Sequence, residues 1–541
     1  LFLEGLAMMP PLWLLPVGLL LVIGLVPGDW ANRRALLIRA WVPRLVAALC
    51  LITLTTGISN PAGWGALRSA GADAAQTWRL AGIDWGGPEQ GVAWLMLLLV
   101  SFLGWVVASY SVRQLDGDPD QGRFFSRLSL TLAGVATLVA TGNLLVMLIA
   151  WLLAGWGLQG LLLHHQDCEQ ARTGARLKRV ASGLGDVALL AAVALAFREF
   201  GTLNFSELFA ELSARRQLSG NAGALAEPIA WLLITGCAIK AAQFPFHFWL
   251  PETLNAPTPV SALMHAGIVN AGGYVLVRCG PLVVEAPVAM GLLAAVGTVT
   301  ALFAGLVMLS QPSVKHSLAY STIAQMGFMM MQIGIGAFSA ALLHIVLHSL
   351  YKAYAFLAHG DVLVTSEGTA SPASPWPAPK PLNRVAQSAV RFALIGTLFV
   401  LLSWGLMSAL GHSPTTKPGG HLLGGILGVV LARRLWLLIP TACLRTIGWA
   451  TAGNVALLAG YAISFSFVDR IVKADGLITE SLVATNGWVV AAIGVAFLAL
   501  LASESVRGQR WLARWSAAAY VHSLNGWYVD AFVKRFARTL A

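Results

Sequence analysis

Charge is what this chain has least of. Only 11% of its 541 residues are Asp, Glu, Lys or Arg, against about a quarter in a typical soluble domain, so a globule with a polar surface is excluded. Cysteine is scarce too. The five, Cys50, Cys168, Cys237, Cys279 and Cys443, are odd in number, widely spaced and form no C-x-x-C pair. They read as small core residues, which argues against an iron–sulfur or structural zinc site. No G-x-G-x-x-G follows a strand pattern and no H-E-x-x-H occurs. The chain is therefore not expected to be an enzyme by itself: no catalytic residue, cofactor-binding residue or metal ligand is assigned to it.

What is abundant is apolar sequence. Hydrophobic residues make up 57% of the chain and its mean hydropathy is +0.73. A bilayer core asks for about 20 apolar residues per helix, and such runs can be drawn roughly thirteen to fifteen times between Pro10 and Ala502. The expected fold is an all-α polytopic membrane protein. The run from about Pro10 to Pro27 lacks a preceding basic stretch and is too proline-rich for a signal sequence, so it reads as the first span.

The net charge of +11 does not gather on one soluble face, as nucleic acid would require, but is scattered through short loops. Arg33, Arg34, Arg113, Arg123, Arg127, Arg172, Arg176, Lys178, Arg179, Lys380 and Arg384 fall in alternate loops, which the positive-inside rule assigns to the cytoplasm. Arg215 and Arg216 fall on the other side of that scheme. The chain divides into N-terminal spans over 1–112, a core over 113–370, a Pro-rich linker over 371–386, further spans over 387–505 and an amphipathic segment over 506–541. In that last segment Trp515, Tyr520, Trp527 and Tyr528 mix with Arg514, Lys534, Arg535 and Arg538, as suits an interfacial helix or a partner contact.

Against this background a few ionisable residues stand out. Lys240 and His265 lie in successive apolar runs, with Pro245, Pro251, Pro257 and Pro259 breaking the backbone between them. Proline breaks in a span are tolerated only where protein or a wet cavity lines them, and an ionisable residue inside a span by default marks an ion or proton path. His344, His348 and Lys352 are spaced i, i+4, i+8, which at about 100° per residue puts them on one helix face, with His359 near the same stripe. Histidine exchanges protons near neutral pH, and a desolvated lysine becomes a relay instead of a fixed charge. Asp186, near the cytoplasmic start of its span, is a candidate proton-entry group or a carboxylate satisfied by the neighbouring helix end or by Lys178 and Arg179. A lone buried histidine often does no more than tie helices together; five such groups in apolar spans favour the relay, since each burial costs a few kcal/mol. The cluster Met326, Met329, Met330 and Met331 reads as core packing.

The strings Lys240-Ala-Ala-Gln-Phe-Pro, Trp249-Leu-Pro and Pro257-Thr-Pro-Val-Ser-Ala-Leu-Met-His265 closely resemble the proton-translocating antiporter-like subunits shared by respiratory complex I and multisubunit cation/proton antiporters. The likeness runs from about Arg113 to about Asp361, through Gly185-Asp186-Val187, Gly201-Thr-Leu-Asn-Phe205 and Ser317-Leu-Ala-Tyr-Ser-Thr322. It implies inverted repeats with a helix broken near Pro245, and a polar axis along the membrane midplane to which the residues matching Lys240, His265, His344, His348 and Lys352 belong.

Two departures from the family are visible. Its glutamate after Gly-Trp, the partner of the matching lysine, is replaced by Leu152, and the later span Phe392 to Trp404, which in complex I is broken and carries a lysine, is uncharged and unbroken. Together with little room after Leu501 for a lateral helix, this pattern resembles the membrane subunit of DAB-type inorganic carbon accumulation complexes. That resemblance implies a multi-pass subunit of a bacterial inner membrane, with a soluble zinc-containing, carbonic-anhydrase-like partner on its cytoplasmic face. The zinc would belong to the partner. The conducted ion is taken as H+ over Na+ because no hard oxygen cage accompanies the lysines and histidines. A proton-pumping subunit of complex I or of a multisubunit antiporter is the alternative, and a scaffold with decayed chemistry is the third reading.

Overall fold

The computed structural model describes residues 12–59, 79–80, 82–86, 91–220, 222–359, 382–413, 418–439, 443–477, 492–497 and 513–529. Nearly all of these are helical, because a backbone without water must find its hydrogen-bond partners within its own segment. α1 (Leu14–Leu25), α2 (Gly28–Arg33) and α3 (Ala35–Ser59) come first, followed by a small antiparallel hairpin of β1 (Arg79–Leu80) and β2 (Ile83–Asp84). Then come α4 (Gly91–Gln114), α5 (Gln121–Ala140), α6 (Leu144–Leu162), α7 (Glu169–Phe200), α8 (Phe205–Ser219) and α9 (Ala226–Lys240). After a break, α10 (Thr258–Ala266) and α11 (Ala271–Arg278) complete one crossing. It is followed by α12 (Gly280–Val283), α13 (Pro287–Ser310), α14 (Val314–Gly334) and α15 (Phe338–His359). The last helices are α16 (Leu382–Ala409), α17 (Pro418–Leu438), α18 (Leu444–Ala474) and α19 (Ala513–Leu524).

Among the described residues, 11 helical stretches are long and apolar enough to cross a membrane. The chain is an all-α multi-pass membrane protein. The short α1, the broken α9 and the more polar α14 run in the same alternation, and with them the number of crossings falls in the expected range. α16 is one continuous helix through Phe392 to Trp404, as the sequence suggests. It begins at Leu382, inside the stretch assigned to a linker; Ser371 to Pro381 lie outside the described residues.

Successive crossings bring the basic connections to one end. There Asn32 donates to Asp120 at 2.8 Å, Arg39 pairs with Asp116, and the Gln311 side chain reaches the Leu524 carbonyl at the end of α19. At the opposite end Asn204 ties the hairpin to the bundle, accepting from the Asp84 amide at 3.0 Å and from Asn143 at 2.8 Å. The two arginines that break the charge rule also lie at that end, and each is neutralised in place. Arg215 pairs with Glu199 and Glu211, each at 2.8 Å, and Arg216 with Glu285.

Lipid tails are as apolar as leucine, so helix association relies on close packing. α13 and α14 achieve it with small residues. A Cβ added at Gly297 would fall 2.5 Å from the Met331 nitrogen, and one at Gly327 would fall 2.5 Å from the Ala301 nitrogen. The adjoining methionines Met326, Met329, Met330 and Met331 are fully buried core residues. Gly297→Leu should lower the thermal midpoint of the purified protein, with a cost of about 1–3 kcal/mol or more from overpacking. Gly291→Leu, on the same helix with nothing within 4 Å of its added Cβ, should leave the midpoint unchanged; equal midpoints for the two variants would contradict this packing.

Candidate proton-relay site

α9 stops at Lys240, and between Ala241 and Pro257 the chain makes only two short 3-10 turns, Phe246–Trp249 and Pro251–Thr253. Pro245, Pro251 and Pro257 lack the amide hydrogen that a continuing helix needs, so the crossing breaks in mid-span. Protein encloses the break: His247, Phe248, Trp249 and Leu250 are all buried. A Cβ at Gly174 of α7 would meet the Glu252 carbonyl at 2.3 Å, so only glycine there lets α7 come against the second turn.

The Lys240 side chain is 6% exposed and its ammonium forms an ion pair with Asp186 on α7. It also lies over the face of Trp151 on α6, 4.3 Å from the ring centroid, a favourable seat for a cation. The Gly185-Asp186 pair explains the geometry. A Cβ at Gly185 would meet Lys240 Cγ at 2.6 Å, so the glycine makes room for the lysine stem to cross α7 and the next residue supplies its counterion.

Two expectations are corrected here. Asp186 lies near the middle of the 32-residue α7, not at its start, because the helix begins beyond the apolar run with charged residues from Glu169 onward. Nor is it satisfied by its basic neighbours: Lys178 donates to the Gly155 carbonyl at 2.8 Å, and Arg179 is exposed. Lys178, taken as a loop charge, is a buried helical residue of the same region. The Gly155 carbonyl of α6 satisfies its ammonium, a signal that sequence spacing does not carry.

The stripe on α15 faces the bundle interior. His344 and His348 have ring centroids 5.8 Å apart, and His348 and Lys352 are buried. His344 Nδ1 lies 3.0 Å from Gln332 Oε1, and His348 Nε2 lies 3.3 Å from the His265 carbonyl. The His265 ring is fully buried, stacks on Phe356 at 4.5 Å, and neither of its nitrogens has a hydrogen-bond partner among the described residues. Lys352 donates to the Leu318 carbonyl at 2.9 Å, a contact that holds the ammonium against a dipole, with no counterion among the described residues. Asn270, which sequence reading did not single out, binds Ser349 Oγ at 2.9 Å and joins α15 to the α10–α11 crossing.

The expected residues therefore form two groups: Asp186 with Lys240, and His265 with His344, His348 and Lys352. No hydrogen bond or ion pair joins the two groups directly among the described residues. No group of three or more His, Cys, Asp or Glu is placed to hold a metal among the described residues.

A family profile described as NADH:quinone oxidoreductase/Mrp antiporter, transmembrane, matches residues 141–374, a range containing both groups. A "Probable inorganic carbon transporter subunit DabB2" of Halothiobacillus neapolitanus is 35% identical over 460 residues, covering 83% of this chain and 79% of the relative. The chain belongs to the DabB family. DabB proteins are antiporter-like membrane subunits, ion-translocating and not catalytic. The likeness extends to an NADH-quinone oxidoreductase subunit L of Mycobacterium tuberculosis, 34% identical over 337 residues, 60% of this chain and 52% of that protein. A solved archaeal membrane-bound sulfane sulfur reductase complex shares the fold, with a TM-score of 0.54 at 18% identity over 95% of this chain and 97% of that one.

If Asp186 and Lys240 satisfy one another, their removal should not be additive. Asp186→Asn and Lys240→Gln should each lower the denaturation midpoint, and the double variant should lose less than the sum, with a coupling of roughly 1–3 kcal/mol. Additive losses would show that the pair is not an energetic unit.

Proposed function

We propose that this DabB-family chain conducts protons through its core and uses the inward flow to drive hydration of CO2 to bicarbonate by a zinc-containing, carbonic-anhydrase-like partner on its basic, cytoplasmic face. The observation that carries the reading is the ion pair of buried Lys240 with part-buried Asp186 at a broken helix. While the pair is closed, the ammonium is compensated; when the carboxylate withdraws, an uncompensated cation in the membrane is costly, and shedding its proton removes the cost. His344 and His348 then offer seats a short distance apart, and Lys352 a further one. Net flow supplies the free energy that a reversible hydratase lacks, provided the partner binds differently to the states that the relay passes through.

Arg172, Arg176 and Arg179 are exposed on the first turns of α7 and give that face a cationic docking surface. A complex I type of pump fits less well. Leu152 occupies the place of that family's glutamate, and α16 has no break to carry a second lysine.

Lys240→Ala should reduce uptake of labelled inorganic carbon by about tenfold or more in cells lacking carbonic anhydrase, while the variant still co-purifies with its partner. Uptake by the wild-type complex should stop when an uncoupler collapses the proton gradient. Uptake that survives collapse of both H+ and Na+ gradients would leave the chain a scaffold.

A further inference from the structure

We infer that the cavity between α4, α5, the α10–α11 crossing and α15 is a binding site for molecular CO2. The choice of gas rests on the inorganic-carbon reading above, to which the cavity adds a place where this chain holds the substrate.

The cavity lies where the crossing is interrupted. α10 stops at Ala266 and α11 starts at Ala271; between them Gly267 leaves helical geometry, with φ −124° and ψ −70°, and a 3-10 turn, Ile268–Asn270, resets the path. Beside this turn a space of about 30 Å3 remains, walled by Leu103 of α4, Val135 of α5, Leu263 of α10 and Ile345 of α15. One water takes about 10–15 Å3 on this measure, so there is room for roughly two or three small atoms. That is too little for a lipid tail and enough for a triatomic rod.

Only Asn270, Ser349 and Tyr274 bring polar side chains to the wall, and no charged residue lines it. The hydrogen bonds fix what these three offer. Tyr274 donates to the Val139 carbonyl at 2.6 Å, so its hydrogen is committed. Asn270 donates through its amide nitrogen to the Ala266 carbonyl and to Ser349 Oγ, each at 2.9 Å. A backbone carbonyl only accepts, which orients the amide and leaves Oδ1, in a residue 2% exposed, as a buried acceptor with no hydrogen-bond partner among the described residues. Ser349 Oγ accepts from Asn270 and keeps its own hydrogen to donate.

One acceptor and one donor in an apolar wall match CO2. Its electron-poor carbon takes the lone pair of an amide oxygen as in carbonyl–carbonyl contacts, and its oxygens are weak acceptors for a hydroxyl. Bicarbonate does not fit, because an anion in such surroundings needs a cation and none lines the space. Water fits poorly: it wants about two to four polar partners, and the room beyond a first molecule faces apolar side chains. The site also shares a helix with the stripe. Ser349 directly follows His348, and its bond to Asn270 ties α15 to the interrupted crossing.

The test pressurises crystals of the chain with its co-purifying partner with xenon and, separately, with CO2. Wild type should show one xenon peak in the cavity, and in CO2 a linear density against Asn270 Oδ1. Val135→Phe fills the space from α5, away from the relay residues. It should lose both densities and raise severalfold the CO2 concentration that half-saturates uptake of labelled carbon, with the maximum rate little changed. Ser349→Ala should keep the xenon and lose CO2 occupancy. If Val135→Phe fails to assemble, Leu99→Phe fills the same space from α4. Ordered water or a lipid tail that neither gas displaces, or an unchanged half-saturation in the filled variant, would overturn the site. Uptake indifferent to collapse of the ion gradients would overturn the conducting reading alone, and CO2 density beside Asn270 would stand.

Discussion

An ammonium held in hydrocarbon is the constraint on which the core depends. Lys240 lies where a helix stops in mid-span, so two costs coincide: an intramembrane charge and a run of backbone from Ala241 to Pro257 with only two short 3-10 turns. Each is tolerable only inside protein. The surrounding helices answer both. α7 gives up side chains at Gly174 and Gly185 to approach the break and the lysine stem, and supplies Asp186; α6 supplies the Trp151 face. The break itself is lined by buried aromatic residues. Removing the lysine's charge would remove the reason for most of these features.

Charge compensation fixes that an acid must be present but not on which helix. The related antiporter-like subunits place a glutamate one residue beyond the tryptophan that matches Trp151; this chain has Leu152 there and compensates from α7. The tryptophan keeps its place over the ammonium. Compensation from α7 leaves the lysine answering to the helix whose charged first turns, with Arg172 and Arg176, reach the basic face. A partner bound at that face thus has a continuous rigid element leading to the counterion.

The stripe was legible because a helix repeats every 3.6 residues: four-residue spacing of His344, His348 and Lys352 puts them on one face wherever the helix packs. The mid-span break was legible from its prolines. The partner of Lys240 was not, because it depends on which helices abut, and that contact is permitted by a glycine and joins residues far apart in sequence. Lys178 was misassigned for a related reason: α7 extends past its apolar stretch, so a residue that looks like loop by composition is buried by its neighbours.

The gaps between the polar groups bear on coupling. A chain of groups hydrogen-bonded from one face to the other would leak, and its conduction would ignore the state of any partner. Here the Asp186–Lys240 pair and the stripe on α15 are joined by no hydrogen bond or ion pair among the described residues. Transfer between them requires a side-chain movement or an inserted water. Such a step has two discrete states, and a partner that prefers one of them shifts the equilibrium by its difference in affinity. On the proposed reading, an interrupted path is the property that lets a gradient be coupled to work on another subunit, and the helix break at Lys240 is where the fold provides for it.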